Sequence, residues 1–324
     1  MRVLVTGGAG FIGSHFTQRL LAAGEDVVVL DKLTYAGNEN NVPKNAEFVH
    51  GDIGVKEDVE AVRSFDAIVN FAAETHVDRS ILGPHDFART DVLGALVLAE
   101  VARERGVRFV QVSTDEVYGD VTEPAREDSP LRPSSPYSAS KAGGDLQVLA
   151  AVRTYGVDAC ITHGSNTYGP RQYPEKLIPL FVTNALDGEP LPLYGDGRQV
   201  RDWIHVEDHC AAIELVLREG TPGEVYNAGA DNERENIDVA RTILELTGAD
   251  PSLLRHVEDR PGHDRRYSLD SSKLHALGWR PQRPFDEGLA ETVAWYRDIR
   301  AWWEPLKSGE YREYYARQYA ERLR

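Results

Sequence analysis

A glycine-rich turn near the start of the sequence constrains the fold more than any other feature. The apolar run RVLVT leads directly into GGAGFIGSH, where Gly8, Gly10 and Gly13 fit the pattern GxGxxG and Gly7 adds a further glycine. Glycines at these positions permit positive φ, close approach of a pyrophosphate and tight packing of a helix whose N-terminus supplies donors. By itself the pattern is weak evidence for a dinucleotide site, because glycine-rich turns also occur for purely structural reasons.

The surroundings of this turn indicate a dinucleotide site. A strand-like run precedes it, a helix-like segment follows, and a second apolar run ends at Asp31, 18 residues after Gly13. A carboxylate at that position can accept hydrogen bonds from ribose hydroxyls and repels a 2′-phosphate, which favours NAD over NADP. We therefore predict NAD as the cofactor, with Asp52 and Ile53 of the later GDI placed near the adenine.

Short apolar runs alternate with segments of helical spacing through the first half of the sequence. Residues 87–105 and 139–155 have the helical spacing, and the strand-like runs are RVLV, DVVVL, EFVH, DAIVNF, RFVQVS and DACIT. This alternation predicts an α/β fold with a doubly wound parallel sheet, the Rossmann arrangement. After about residue 165 proline and glycine become dense. We predict a Rossmann domain over 1–165 that carries the catalytic residues, and a smaller substrate-binding α/β lobe over 166–324, with some segments returning to the large domain.

Charge and cysteine content exclude several classes of function. The formal net charge of -16 is spread along 324 residues and no long basic block occurs, which argues against nucleic acid or anionic lipid as a partner. Cys160 and Cys210 form neither a CxxC pair nor a His/Cys cluster, so we expect no disulfide framework and no metal site. With no signal-peptide pattern and no run of 18 apolar residues, we expect a soluble protein of the reducing cytoplasm.

A hydroxyl pair and a tyrosine–lysine pair supply candidate catalytic groups. Ser113 and Thr114 end the fifth predicted strand, and YSASK places Tyr137 and Lys141 four residues apart, on one face of a helix. A lysine ammonium and a positive nicotinamide ring would both favour the tyrosine phenolate, which could then remove a proton from a substrate alcohol. A YxxxK pair is common by chance, but after a dinucleotide motif it predicts alcohol oxidation.

The motifs TGGAGFIG and YSASK, together with the Thr114 hydroxyl, resemble the extended short-chain dehydrogenase/reductase family, many of whose members act on nucleotide sugars. Within it, five stretches are nearly identical to those of the dTDP-glucose 4,6-dehydratases. They are FAAETHVDRS, STDEVYGD, YGPRQYPEKLIPL, LYGDGRQVRDWIHVEDH and DRPGHDRRYSLD. The similarity extends through WWEPLK and leaves about the last 18 residues unaccounted for.

The resemblance implies a reaction and a role for the two acids that follow Thr114. The family converts dTDP-glucose to dTDP-4-keto-6-deoxyglucose by oxidation at C4, elimination of water across C5 and C6, and return of hydride to C6. It implies Tyr137 as the base at the C4 hydroxyl, Glu116 as the base at C5 and Asp115 as the acid at the C6 oxygen. Adjacent carboxyl groups in a partly dry site resist double ionisation, and the sequence leaves open which one holds the proton.

Arg201, Arg260 and His263 are candidate phosphate contacts, because guanidinium groups bind oxyanions in a fork. The resemblance extends the set of predicted contacts. The residues expected at the substrate are His76, Thr114, Asn166, Lys176, Leu177, Pro192, Leu193, Tyr194, Arg201, Asn236, Asp259, Arg260, Pro261, Gly262 and His263. The residues expected at NAD are Gly7, Gly10, Phe11, Ile12, Gly13, Asp31, Lys32, Leu33, Thr34, Asp52, Ile53, Ala72, Ala73, Thr75, Thr90, Tyr137, Lys141 and Thr167.

Several positions depart from the family pattern. The chain has HGSNTYGP where RCSNNYGP is usual, so that His163, Gly164 and Thr167 replace arginine, cysteine and asparagine. Thr75 stands where serine is usual, and Asp91 where asparagine is common. These departures concern the nicotinamide pocket more than the reaction.

Two other functions are compatible with parts of this pattern. A UDP-sugar 4,6-dehydratase or a nucleotide-sugar 4-epimerase would share the architecture, although epimerases typically lack the acid pair after the threonine. A non-catalytic NAD-binding regulator would be expected to lack the catalytic residues. The presence of all five candidates argues against it: Thr114, Asp115, Glu116, Tyr137 and Lys141.

Two helical segments are apolar over more than one face, which predicts a subunit interface. We expect a homodimer through the helices around 86–105 and 138–155, which contain Phe87, Val92, Leu96, Leu98 and Val101 and the run DLQVLAAV. Near the end of the sequence, Tyr311, Tyr314, Tyr315 and Tyr319 have roughly helical spacing, which predicts a surface helix packed on its own subunit.

Overall fold

A seven-stranded parallel sheet forms the centre of the structure, a computed structural model that describes residues 1–319, 322 and 323. The strands of the chain are β1 (Arg2–Thr6), β2 (Asp26–Asp31), β3 (Glu47–His50), β4 (Ala67–Asn70), β5 (Arg108–Thr114), β6 (Ala159–Gly164), β7 (Asn166–Tyr168), β8 (Leu191–Tyr194), β9 (Val200–His205), β10 (Val225–Ala228), β11 (Glu233–Glu235) and β12 (Leu254–Val257). The large sheet has the order β10-β6-β5-β4-β1-β2-β3. The predicted doubly wound parallel fold is confirmed.

Helices cover both faces of this sheet and build most of the second lobe. They are α1 (Phe11–Ala22), α2 (Lys56–Glu60), α3 (Val77–Leu82), α4 (Pro84–Phe87), α5 (Gly94–Arg105), α6 (Pro136–Tyr155), α7 (Leu177–Asp187), α8 (Val206–Glu219), α9 (Asn236–Thr247), α10 (Ser272–Ala276), α11 (Phe285–Asp298), α12 (Arg300–Trp303) and α13 (Glu310–Tyr319). A π-helical turn, Ala88–Leu93, joins α4 to α5. Within the described part of the chain, no helix has the length and apolar character needed to cross a membrane.

Except for β3, whose residues are half-buried or exposed, the strands of the large sheet are buried on both faces. Along β1, Val3 and Val5 pack into an apolar cluster with Phe16 of α1, whereas Leu4 packs into a second cluster with Leu98 of α5. Burial on both faces requires strands that are apolar throughout, as the Val-rich runs of the sequence are. The carboxyl ends of β1, β4 and β5 therefore meet at one edge, where ligands bind in sheets of this kind.

The second lobe is built from two small sheets and a separate apolar core. Strands β11, β9 and β7 form one sheet and β12 and β8 the other. The core contains Tyr168, Trp203 and Phe285 together with residues of α7, α9 and α11. Residues 206–228, which form α8 and β10, instead pack on and pair with the large sheet. The proposed division at residue 165 stays a prediction.

Candidate active site

The glycine turn between β1 and α1 is packed too tightly for side chains. Gly7 has a φ of +70°, and a Cβ there would lie 2.5 Å from the Ala72 nitrogen. A Cβ on Gly13 would lie 2.4 Å from the Gly7 carbonyl oxygen, and one on Gly8 would lie 2.8 Å from Cγ1 of Val29. The turn thus leaves its backbone open at the start of α1, as a dinucleotide pyrophosphate requires.

The carboxylate at the end of β2 is held by backbone donors. Asp31 is buried, and it accepts hydrogen bonds from the amides of Ala9 at 3.0 Å and Leu33 at 2.8 Å. Burial raises the pKa of Asp31, and the two amides oppose that shift. The side chain is fixed beside the glycine turn, where a ribose would lie next to the pyrophosphate, so the residues present fit a dinucleotide.

A cavity of about 310 Å³ extends from this turn to the end of β5. Every residue predicted to contact NAD lines it except Leu33, whose amide holds Asp31 instead. The catalytic candidates Thr114, Asp115 and Glu116 line the same cavity. The structure therefore brings the predicted cofactor and catalytic residues together, and their individual roles stay predictions.

The tyrosine–lysine pair lies on the first turns of α6. Ser135 caps this helix through a capping box with Ser138, which fixes where the helix begins. The Lys141 ammonium is buried and donates to the Val112 carbonyl oxygen at 2.9 Å. Four residues earlier, Tyr137 faces the same cavity.

The acid pair forms a single 3-10 turn at the end of β5. The Thr114 hydroxyl donates to Oδ1 of Asp115 at 3.2 Å and accepts from the Glu116 amide at 3.3 Å. This cap aims both carboxyl groups into the cavity. Asp115 is only 3 % exposed, and its Oδ2 has no hydrogen-bond partner among the described residues.

The two acids lie in different electrostatic surroundings. Burial, with Glu116 beside it, raises the pKa of Asp115 well above its usual range. Burial also raises the pKa of Glu116, but Arg260 and Lys176 oppose that shift. These surroundings favour the proton of the pair on Asp115 and the negative charge on Glu116.

The surroundings of Tyr137 differ from the sequence-based expectation. Burial raises the pKa of Tyr137 well above its usual range, and Glu116, Asp91 and Asp115 add to the shift, while the Thr114 hydroxyl opposes it. Burial, together with the three acids, therefore favours the neutral phenol of Tyr137 in the protein by itself. A neutral Asp115 removes part of this negative charge, so protonation of Asp115 favours the phenolate.

A second cavity of about 140 Å³ adjoins the first at Glu116 and Lys176, which line both. Most residues predicted at the substrate line this second cavity: His76, Asn166, Lys176, Leu177, Pro192, Leu193, Tyr194, Arg201, Asn236, Arg260 and His263. Thr114 lines the first cavity instead, and Asp259, Pro261 and Gly262 line neither. The carboxyl group of Asp259 accepts from Nδ1 of His263 at 2.6 Å.

Cationic side chains line the second cavity of this acidic protein. Nε of Arg260 lies 3.4 Å from Oδ1 of Asp78, and its buried Nη1 has no partner among the described residues. Arg201 is buried, with its guanidinium 4.1 Å from the centre of the Tyr267 ring. Burial and Arg260 lower the pKa of His263 to about 4, so His263 is neutral at neutral pH. The two arginines are the groups suited to a diphosphate.

Three of the departures from the family pattern, His163, Gly164 and Thr167, have defined contacts with neighbouring side chains. A Cβ on Gly164 would lie 2.4 Å from the His209 ring, and the Thr167 hydroxyl lies 2.8 Å from Nδ1 of His209. His163 bridges Asp145, 3.1 Å away, and the Tyr118 hydroxyl, 2.7 Å away. The position of His209 therefore leaves no room for a side chain at Gly164, and Thr167 makes a hydrogen bond to the same ring.

Several residues that sequence reasoning missed line the cavities. Glu175 is buried and accepts hydrogen bonds from the Tyr35 hydroxyl at 2.7 Å and Nε of Arg79 at 2.8 Å. Asp78, Phe181 and Tyr319 also line the substrate cavity. The only signal for Glu175 was its position within YPEKL, and Tyr319 lies in the segment that the resemblance left unaccounted for.

Comparisons with known proteins agree with this geometry. Residues 4–292 match the family model described as GDP-mannose 4,6 dehydratase. A dTDP-glucose 4,6-dehydratase of Streptomyces niveus is 54% identical over 323 residues, covering 95% of this chain and 96% of the relative.

Solved structures show the same similarity. The dTDP-glucose 4,6-dehydratase of Streptomyces venezuelae, crystallised with NAD and dTDP bound, superposes with a TM-score of 0.92 at 54% identity, covering 95% of this chain and 100% of that one. A UDP-glucose 4-epimerase of Thermus thermophilus, in complex with NAD, gives a TM-score of 0.88 at 38% identity, covering 92% of this chain and 100% of that one.

Proposed function

This chain belongs to the GDP-mannose 4,6-dehydratase family, and from that premise we propose that it is an NAD-dependent dTDP-glucose 4,6-dehydratase. It converts dTDP-glucose to dTDP-4-keto-6-deoxyglucose and water. The observation that carries the proposal is the acid pair Asp115–Glu116, held by Thr114 where the two cavities meet. Alcohol oxidation alone needs no such pair, whereas elimination needs both an acid and a base.

The residues of the first cavity would hold NAD. The backbone of the turn at Gly10 and Gly13 would bind the pyrophosphate, and Asp31 would bind the adenosine ribose. When bound, NAD would accept the hydride from C4 of the sugar and return it to C6.

The protein residues would carry the protons of the reaction. Tyr137, as the phenolate that the positive nicotinamide ring of bound NAD would favour, takes the proton of the C4 hydroxyl as C4 becomes a ketone. The ketone makes the C5 proton acidic, and Glu116, the ionised member of the pair, removes it. Asp115 gives its proton to the C6 oxygen, which leaves as water, and Glu116 later returns its proton to C5. The surroundings of the two acids support this division of roles, since burial beside Glu116 favours a protonated Asp115, while Arg260 and Lys176 favour an ionised Glu116.

Isotope transfer tests the proposed reaction. With dTDP-glucose deuterated at C4, we expect the deuterium to appear at C6 of a 4-keto-6-deoxy product. A 4-epimerase would instead retain the deuterium at C4 of an epimer and give no 4-keto product, which would overturn the proposal.

A UDP-sugar 4,6-dehydratase is the nearest alternative, because the acid pair serves that reaction equally well. An assay of dTDP- and UDP-hexoses without added NAD separates the two substrates. Product from dTDP-glucose alone supports the proposal, and product only from a UDP-hexose would replace it. Turnover without added NAD is expected, because the reaction returns its hydride and so regenerates its own cofactor.

The proposed assembly is a homodimer through the faces of α5 and α6. Leu93, just before α5, is 43 % exposed and Leu146 of α6 is 56 % exposed, and α5 packs directly on α6. Large exposed apolar side chains on neighbouring helices support a subunit contact. A reducing cytoplasm is the proposed location, supported by two buried free thiols, Cys160 and Cys210.

A further inference from the structure

Helix α13, near the end of the sequence, brings one of its tyrosines to the substrate cavity. Tyr311, Tyr314 and Tyr319 are buried, and Tyr319 lines the cavity next to Tyr194. The sequence predicted a surface helix packed on its own subunit, and that prediction describes only the side of α13 that faces away from the cavity. The opposite side is part of the wall of the proposed active site.

The end of α13 fixes the orientation of Tyr194. Nε2 of Gln318 donates to the Tyr194 hydroxyl at 2.6 Å and to Oδ2 of Asp78 at 3.1 Å. The Tyr194 hydroxyl in turn donates to Asp78 at 2.8 Å and lies 3.4 Å from the Tyr319 hydroxyl. The rings of Tyr194 and Tyr319 are 6.0 Å apart at an angle of 35°. The two rings therefore form one continuous aromatic surface.

The start of α13 is tied to His76 and its neighbours. The Tyr314 hydroxyl lies 3.3 Å from Nε2 of His76, and the Arg79 guanidinium lies 4.5 Å from the centre of the Tyr314 ring. Arg79 also pairs with Glu310 at 3.2 Å. His76 has a φ of +79°, which is unfavourable for a non-glycine residue, so contacts such as these are needed to hold it.

We propose that α13 is a wall of the nucleotide-sugar site, with Tyr319 as a substrate-binding residue for the nucleobase and with Gln318 and Tyr314 as positioning residues. Tyr319 belongs to one apolar cluster with Phe181 and Leu193, and all three line this cavity. A flat base binds well to such a surface, because aromatic rings bury large apolar area in a defined geometry. This inference rests on the proposed function, since it assumes that the second cavity binds a nucleotide.

Point variants on one helix test the inference. Tyr319→Leu removes the ring, Gln318→Leu removes the hydrogen bonds to Tyr194, and Tyr315→Phe is the matched control. Tyr315 lies on the same helix and its hydroxyl accepts from Asn184 at 3.3 Å, but it lines neither cavity. The measurements are the Kd of dTDP by calorimetry, KM and kcat for dTDP-glucose, the bound NAD content and the Tm.

We expect Tyr319→Leu to raise the Kd of dTDP and the KM about 5- to 100-fold, since one base–aromatic contact contributes at that level. For Gln318→Leu we expect a rise of about 3- to 10-fold, equivalent to one hydrogen bond. In both variants kcat and bound NAD should stay within about twofold of wild type, because neither residue touches the reacting atoms. Tyr315→Phe should change none of these quantities.

The outcomes separate this inference from the proposed function. If wild type turns over dTDP-glucose and Tyr319→Leu leaves both the Kd and the KM unchanged, the inference is wrong and the function stands. If wild type shows no turnover but Tyr319→Leu weakens dTDP binding, the proposed function is wrong, whereas the inference that α13 contributes to the nucleotide site is supported. A loss of bound NAD and of Tm equal to the loss of dTDP binding would show that α13 acts only on folding, which also overturns the inference.

Discussion

The different surroundings of Asp115 and Glu116 divide the work of the acid pair at the residue scale. Both acids are buried, and Arg201 opposes the rise in the pKa of both, but Arg260 and Lys176 are the leading opposing charges at Glu116. An acid and a base side by side can serve two bonds of the same sugar without exchanging roles.

Substitution of each acid should block a different step. In Glu116→Gln we expect kcat to fall about 10²- to 10⁴-fold, as for loss of a general base, with no exchange of the C5 proton. In Asp115→Asn water loss should slow, but Glu116 can still exchange the C5 proton with solvent. Nuclear magnetic resonance of substrate in D₂O measures that exchange. Equal exchange in the two variants would contradict the assigned roles.

The same burial makes the stability of the protein depend on pH. A carboxyl group whose pKa is raised on folding contributes stability at low pH, and the contribution disappears as the pH rises through the folded-state pKa. Asp115→Asn should therefore raise Tm relative to wild type at pH 8, and by less at pH 5. Thermal unfolding of both proteins at the two pH values checks this. If the difference in Tm between the variant and wild type instead shrinks with rising pH, ionisation of Asp115 does not destabilise the folded protein, which contradicts the prediction.

At the scale of elements, the glycine turn couples cofactor binding to packing of α1. Gly13→Ala places a Cβ 2.4 Å from the Gly7 carbonyl oxygen, a backbone atom that cannot move without shifting β1. We expect loss of bound NAD and destabilisation of about 1–3 kcal/mol from overpacking. Gly83→Ala is the control, because its φ is −153° and nothing lies within 4 Å of the new Cβ. NAD content and chemical denaturation should separate the two variants.

Elements with strong local patterns could be predicted from the sequence, and those defined by distant contacts could not. The apolar runs predicted the six strands β1 to β6, and all of these except the half-buried edge strand β3 are buried on both faces. The short strand β11 carries no such pattern, since it pairs with β9 through charged residues. The contacts of Tyr319 with Tyr194 join residues 125 apart in the sequence, and no local spacing signals them. The leading charge that opposes the rise in the pKa of Glu116 belongs to Arg260, which is similarly remote in the sequence.

At the scale of the whole molecule, the exposed apolar residues predict where two copies meet. Leu146→Glu puts a charge on the outer face of α6, and we expect it to convert the dimer to a monomer at micromolar concentration. Ile299→Glu is the control, because Ile299 is 42 % exposed but lies after α11, in the other lobe. Sedimentation velocity measures the result. A monomeric wild type, or dissociation by Ile299→Glu instead, would contradict the proposed interface.

The position of β10 determines whether the predicted NAD-binding domain, residues 1–165, has a complete sheet when it is separated from the rest of the chain. β10 pairs with β6 at one border of the large sheet, yet it follows the small-sheet strands β7, β8 and β9 along the chain. A fragment of residues 1–165 would keep the glycine turn and α6 but would leave β6 with unpaired amides and carbonyls. Exposed edges of this kind recruit other strands, so the fragment should self-associate unless residues 206–228 are supplied in trans as a complementing peptide.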